Sequence, residues 1–146
     1  MPMKKPRRAG PRSAESARHE QVRAAHSSET AEDYVESIAD VIAQRGECRV
    51  VDLTDRFGVS HVTVTRTVGR LERDGLVTRR RYGPITLTVR GKAMARRARE
   101  RHDLVVRFLL AMGISEVTAH ADAEGIEHHV SAETLAAFAR VARRGG

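Results

Sequence analysis

Residues 50–71 read VVDLTDRFGVSHVTVTRTVGRL, and the interpretation of the whole chain turns on how this stretch folds. Val50, Leu53 and Phe57 recur at helical spacing and stop at Gly58, a residue suited to the left-handed conformation that ends helices. Ser60 then offers a hydroxyl to cap a second helix running to about Asp74, in which Val64, Val68 and Leu71 form an apolar stripe before Gly75. Two helices joined through Gly58-Val59-Ser60 make a helix-turn-helix. Leu76-Val77-Thr78 and Ile85-Thr86-Leu87-Thr88 follow as β-type runs, with Arg79-Arg80-Arg81-Tyr82-Gly83-Pro84 as the turn between them. This hairpin is a wing.

Working outward, Thr30 followed by Asp33 resembles a capping box, and Tyr34, Ile38, Val41 and Ile42 continue at helical spacing to the Arg45-Gly46 stop. A helix is therefore expected from residue 30. Residues 1–27, with Lys4, Lys5, Arg7, Arg8 and Arg12 among Pro, Gly, Ser and Ala, lack apolar periodicity and read as a flexible basic extension that becomes helical from about Ala14. Beyond the wing, Thr88 caps a long helix through Lys92, Ala95, Ala98 and His102 into an apolar stretch ending at Gly113. Ser115 starts a helix through Glu127 and His128, and Ser131 caps a last one carrying Leu135, Phe138 and Val141. Such small helices seldom make a sufficient core alone, so burial against a second copy is expected.

A length of 146 residues allows one domain or two small ones, and 40% hydrophobic content supports a folded core. Aromatics are only 3%, which argues against a base-stacking single-strand platform. One cysteine, Cys48, excludes an intramolecular disulfide and reads as a packing residue. No apolar run approaches membrane-span length and no signal-peptide core is present, so a cytoplasmic protein without a membrane partner is expected.

The net charge of +7 is unevenly spread: +5 over residues 1–27, −5 over 28–59, +9 over 60–101 and −2 over 102–146. The basic block coincides with the second helix of the helix-turn-helix and the wing, which points to double-stranded DNA. Val62, Thr63, Arg66 and Arg70 lie on the side of that helix away from its apolar stripe. Arg66 matches guanine in the major groove, and the methyls of Val62 and Thr63 match thymine. Arg79, Arg80, Arg81 and Lys92 suit phosphate contacts, which position without reading sequence.

Two clusters fall outside this DNA module. Asp33 and Glu36 share one side of the first helix, and Glu124, Glu127 and His128, at i, i+3 and i+4, share a face of a later one. His102 lies on the helix between them. Four carboxylates and two imidazoles match a hard to borderline divalent cation such as Mn(II) or Fe(II), with no thiolate to favour softer metals. His120 and His129 stand outside this set. The fold class is mainly α with a small β-wing: an extension over 1–27, a winged helix-turn-helix over 28–90, and a helical metal-binding and dimerisation domain over 91–146.

Asp33-Tyr34-Val35-Glu36, the segment from Gly58 to Leu71, Leu87-Thr88 to Gly91-Lys92, Arg101-His102 and Glu124-Gly125-Ile126-Glu127-His128-His129-Val130-Ser131 together resemble the diphtheria toxin repressor family, in its manganese transport regulator branch. The likeness spans about residues 28–142. It implies a homodimeric winged-helix repressor that binds palindromic operators when loaded with metal. It also implies that Asp33, Glu36, His102, Glu124, Glu127 and His128 are the ligands of a binuclear site. In the iron-sensing branch a methionine and a cysteine stand where this chain has Asp33 and Glu127, a difference that favours Mn(II) over the runner-up Fe(II). Charge agrees with two ions per subunit, because four carboxylates balance two divalent cations. The resemblance implies no SH3-like third domain, as in the manganese branch.

The expected function is Mn(II)-dependent DNA binding that represses manganese uptake genes, with no enzymatic activity. The alternatives are an Fe(II)-responsive winged-helix regulator and a small dimetal carboxylate enzyme. Against the enzyme, no Glu-x-x-His pair recurs on two bundle helices.

Overall fold

The computed structural model describes residues 13–145 as six helices and one two-stranded antiparallel sheet. The basic cluster from Lys4 to Arg12 lies outside the described residues. Helix α1 spans Ala14–Arg45, α2 Val50–Phe57 and α3 His61–Arg73; strands β1 Val77–Arg79 and β2 Ile85–Leu87 form the wing; α4 spans Val89–Ala111, α5 Glu116–Ile126 and α6 Ala132–Arg144.

Helix α1 begins at Ala14, where the basic extension is expected to become helical, but the expected separate helix start at Thr30 is incorrect, because α1 runs unbroken through it. Ser13 caps α1, its Oγ accepting from Ser16 N at 3.1 Å, while the Thr30 hydroxyl donates back to His26 O at 2.9 Å. A threonine engaged with the carbonyl four residues behind it sits inside a helix instead of starting one. Residues 14–28 are exposed, so hydrophobic periodicity carries no signal there, and a helix rich in Ala, Glu and Arg needs none.

Elsewhere the caps fall where expected. Ser60, Thr88, Ser115 and Ser131 each accept from the backbone N–H three residues on. Gly58 turns α2 into α3 with φ of 63°. The wing is shifted by one residue from expectation: Val77 pairs with Leu87, Thr78 with Thr86 and Arg79 with Ile85. Leu76 is drawn out of the strand because its N–H bonds Leu71 O at 3.0 Å, closing the end of α3. Gly91 permits the close approach of α4 to this corner, since a Cβ there would lie 2.0 Å from Leu76 O.

The main core joins α1, α2, α3 and the wing through Tyr34, Val35, Ile38, Leu53, Val64, Val68, Leu71 and Ile85. Cys48 belongs to it, fully buried, and its thiol is pushed up to about 11 by that burial, an inert packing residue. A smaller core holds Val105, Val106, Ala119 and Ala123, backed by Leu109, Leu135 and Phe138. Helix α4 runs between the two, packing on α1 at one end and on α5 and α6 at the other. Among the described residues no helix is long and apolar enough to cross a membrane.

Candidate metal centre and nucleic-acid interface

Helix α1 buries Tyr34, Val35, Ile38 and Val41 on one stripe and turns its carboxylates elsewhere. Glu29, Asp33 and Glu36, spaced by four and three, recur along one side of it. Facing them are His102 from α4 and the segment that closes α5. The expectation that Glu124, Glu127 and His128 lie on one helical face needs correction. Helix α5 ends at Ile126, but its C-cap Glu127 keeps right-handed helical angles and bonds back to Ala123 O, so Glu124 and Glu127 follow helical spacing, and only His128, in the turn beyond, is brought inward by the chain leaving the helix.

Two sets of three donors result. His102, Glu124 and Glu127 form one, and Glu29, Asp33 and His128 the other, with the donor atoms of each within 4.8 Å of one another. His102 Nδ1 lies 2.6 Å from Glu127 Oε2 and 3.7 Å from Glu124 Oε1. His128 Nε2 lies 3.1 Å from Asp33 Oδ1 and 3.4 Å from Glu127 Oε1, so Glu127 stands between the sets. Glu36 belongs to neither and lines the adjoining polar cleft with Asp33, Asp40, Arg56 and Glu124.

Glu127 is 1% exposed, and its Oε1 has no hydrogen-bond partner. A buried carboxylate in that state is costly, and its carboxyl is pushed up to about 8, first by burial and then by the charge of Glu124. Asp33 and Glu36 are raised too, again by burial first. The net effect on His128 is upward: burial opposes its charged form, but the Glu32 hydrogen bond and the acids around it outweigh that. An orphaned oxygen among crowded acids and imidazoles is what a divalent cation would satisfy, and these oxygen and nitrogen donors fit Mn(II) or Fe(II).

Several contributing residues escaped sequence reasoning. Glu32 Oε2 lies 2.6 Å from His128 Nδ1, and Arg101 pairs with the other Glu32 oxygen at 2.6 Å. This chain orients the imidazole so that Nε2 faces Asp33, the role a supporting carboxylate commonly plays behind a ligating histidine. His120 Nδ1 contacts His102 Nε2 at 3.2 Å, and His129 Nε2 contacts Glu29 at 3.1 Å, so both histidines left out of the set border it. Glu29 and Glu32 carry no distinguishing mark in a helix already rich in acids. Just beyond the site, Asp40 binds Arg56 of α2 at 3.0 Å and Arg99 of α4, joining three elements.

On α3, Val62, Thr63 and Arg66 are exposed and Arg70 is half-buried. The Thr63 hydroxyl also meets Ser60 Oγ at 2.9 Å within the helix cap. Arg80 and Arg81 are exposed in the wing, whose tip residue Tyr82 takes a positive φ of 59°. Arg79 is half-buried, and its backbone N–H donates to Glu72 at 3.2 Å. Lys92 lies apart from the wing tip, lining a cleft between α1 and α4 with Leu87, Arg96 and Arg99.

Two stretches of the chain match known families. Residues 88–143 match the iron dependent repressor, metal binding and dimerisation domain, and residues 37–82 match the MarR family. The chain is 48% identical to the transcriptional regulator MntR of Escherichia coli O6:H1 (strain CFT073) over 118 residues, 81% of this chain and 76% of that protein. It is 38% identical to the HTH-type transcriptional regulator MntR of Lysinibacillus sphaericus over 100 residues, 68% of this chain and 72% of that one. The solved structure of a manganese-dependent transcriptional repressor in complex with manganese superposes with a TM-score of 0.66 at 32% identity, covering 80% of this chain. This chain spans about half of that one, 52% of its length.

Proposed function

The chain belongs to the family of the MntR transcriptional regulators, and on that premise we propose that it is a manganese-dependent DNA-binding repressor of manganese uptake genes. The observation that carries this reading is the convergence of α1, α4 and the turn after α5 around the unpartnered Glu127 Oε1. The proposed ligands are Asp33, Glu36, His102, Glu124, Glu127 and His128, holding two Mn(II) per subunit. Bound Mn(II) supplies the positive charge that lets these acids share one pocket.

Helix α1 transmits the effect. Its acidic side faces His128 and Glu127, while its apolar stripe packs into the core shared with α2 and α3. Without metal, Asp33, Glu36 and Glu124 repel across the junction and Glu127 is left buried with its Oε1 unpartnered, which loosens the reader against α4, α5 and α6. With their charge balanced, α1 and the turn after α5 are held together and the reader is fixed.

The proposed assembly is a homodimer, supported by the small second core and by Leu110, Met112, Ile114 and Val117, all exposed on the single chain. Two α3 helices then enter successive major grooves of a palindromic operator about 34–36 Å apart. Val62, Thr63, Arg66 and Arg70 read base edges, and Arg79, Arg80, Arg81 and Lys92 hold phosphates. Metal and operator favour the same conformation, so each tightens the other, typically by about 1–3 kcal/mol.

Fluorescence anisotropy of a labelled palindromic duplex, titrated in Mn(II) and in chelator, tests this. Binding should weaken at least about fivefold in chelator, the lower end of such coupling. Equal affinity in both would contradict it, and parallel titrations in Fe(II) would rank the metals.

A further inference from the structure

We propose that Glu29, on the turn of α1 preceding Asp33, is a further metal ligand that completes a three-donor site with Asp33 and His128, and that His129 positions it. The inference rests on the reading above that this pocket takes Mn(II), and it extends the site into a part of α1 that lies outside the expected ligand set.

Three observations converge. Glu29 stands four residues before Asp33, one helical turn away on the same side, and a carboxylate oxygen of each lies within 4.8 Å of the other and of a His128 nitrogen. His128 is only 1% exposed at its side chain, and its Nδ1 is committed to Glu32, so Nε2 is the atom it offers. Glu29 is itself held in place: its Oε2 lies 3.1 Å from His129 Nε2, and its side chain is 27% exposed, against 86% for Glu15 farther up the same helix.

Donor chemistry agrees with the assignment. His102, Glu124 and Glu127 offer two carboxylates and one imidazole, and Glu29, Asp33 and His128 offer the same combination. Two oxygen donors and one nitrogen donor suit the same class of cation in both sets, with water free to fill the remaining positions. Glu29 is thus added to the six proposed ligands, and Glu36 keeps its place among them beside Glu124.

The test is Mn(II) binding to the full chain, read by the electron paramagnetic resonance signal of free Mn(II), for the unaltered protein, Glu29→Gln and His129→Ala. The unaltered protein should take two ions per subunit. Glu29→Gln should weaken one of them by about 10–100-fold and leave the other unchanged. His129→Ala, which keeps the carboxylate but frees it, should weaken the same ion by less; circular dichroism confirms that both variants are helical. Two ions bound by Glu29→Gln as tightly as by the unaltered protein would overturn the inference and leave the functional reading standing. No Mn(II) bound by the unaltered protein would overturn both.

Discussion

The reader half and the metal half of this molecule are held together by different forces. Around α2, α3 and the wing, fifteen buried residues form a continuous apolar core, including Ile38, Leu53, Leu71 and Ile85, each 0% exposed. Around α5 and α6 the buried apolar core shrinks to Val105, Val106, Ala119 and Ala123, and the junction with α1 is filled by acids and imidazoles. The reader's packing therefore does not rest on neutralised charge. The junction depends on what neutralises it, which puts the adjustable element where a sensor needs it.

The largest effect expected on this contrast comes from the reader core. Leu71→Ala should cost about 2–5 kcal/mol of stability by denaturant unfolding, with the same loss in Mn(II) and in chelator. A loss that Mn(II) repaired would mean that the two halves are not separable in this way.

The next effect concerns the junction and its protons. Burial pushes the Glu127 carboxyl up from 4.5 to about 8, so the ion-free fold keeps a proton there that the unfolded chain has already released. This group's contribution is fully present below the lower value and is lost as pH rises through the upper one, by on the order of a few kcal/mol. Glu127→Gln should flatten that slope in thermal melts of the chelated protein. Mn(II) must displace the same proton, so its affinity for the unaltered protein should climb with pH across that window.

Smaller still, Arg66→Ala should weaken operator binding by about 1–3 kcal/mol and relax base preference at one position, without altering Mn(II) uptake by the free protein. Smallest is Asp40→Asn, which loosens Arg56 and Arg99. These ion pairs are partly exposed, so a stability loss under about 1 kcal/mol is expected. Its sharper readout is whether Mn(II) still tightens operator binding to the same degree.

The same contrast governs what the sequence could reveal. The reader was legible because each local signal has one meaning: Ser60 and Thr88 cap, Gly58 turns, and Val64, Val68 and Leu71 can only face a core. Thr30 misled because Thr-x-x-Asp has the form of a capping box, while the hydroxyl's actual partner, His26 O, depends on a helix already present upstream. In the metal half, Asp33, Glu36, His102, Glu124, Glu127 and His128 could be singled out, but how they group could not, and Glu36 falls in neither set of three donors. Glu127 and His128 arrive through the end of α5, and Glu29 and Glu32 look like a solvated face until His128 and His129 fold against them.

Amide hydrogen exchange, followed segment by segment with Mn(II) and with chelator, tests most directly whether filling the pocket stiffens the junction and nothing else. Residues 29–36, the middle of α4 around His102 and residues 124–130 should gain protection in Mn(II), while the buried amides of α3 stay unchanged. Identical exchange at the junction in both conditions, or protection gained mainly within α3, would contradict the account.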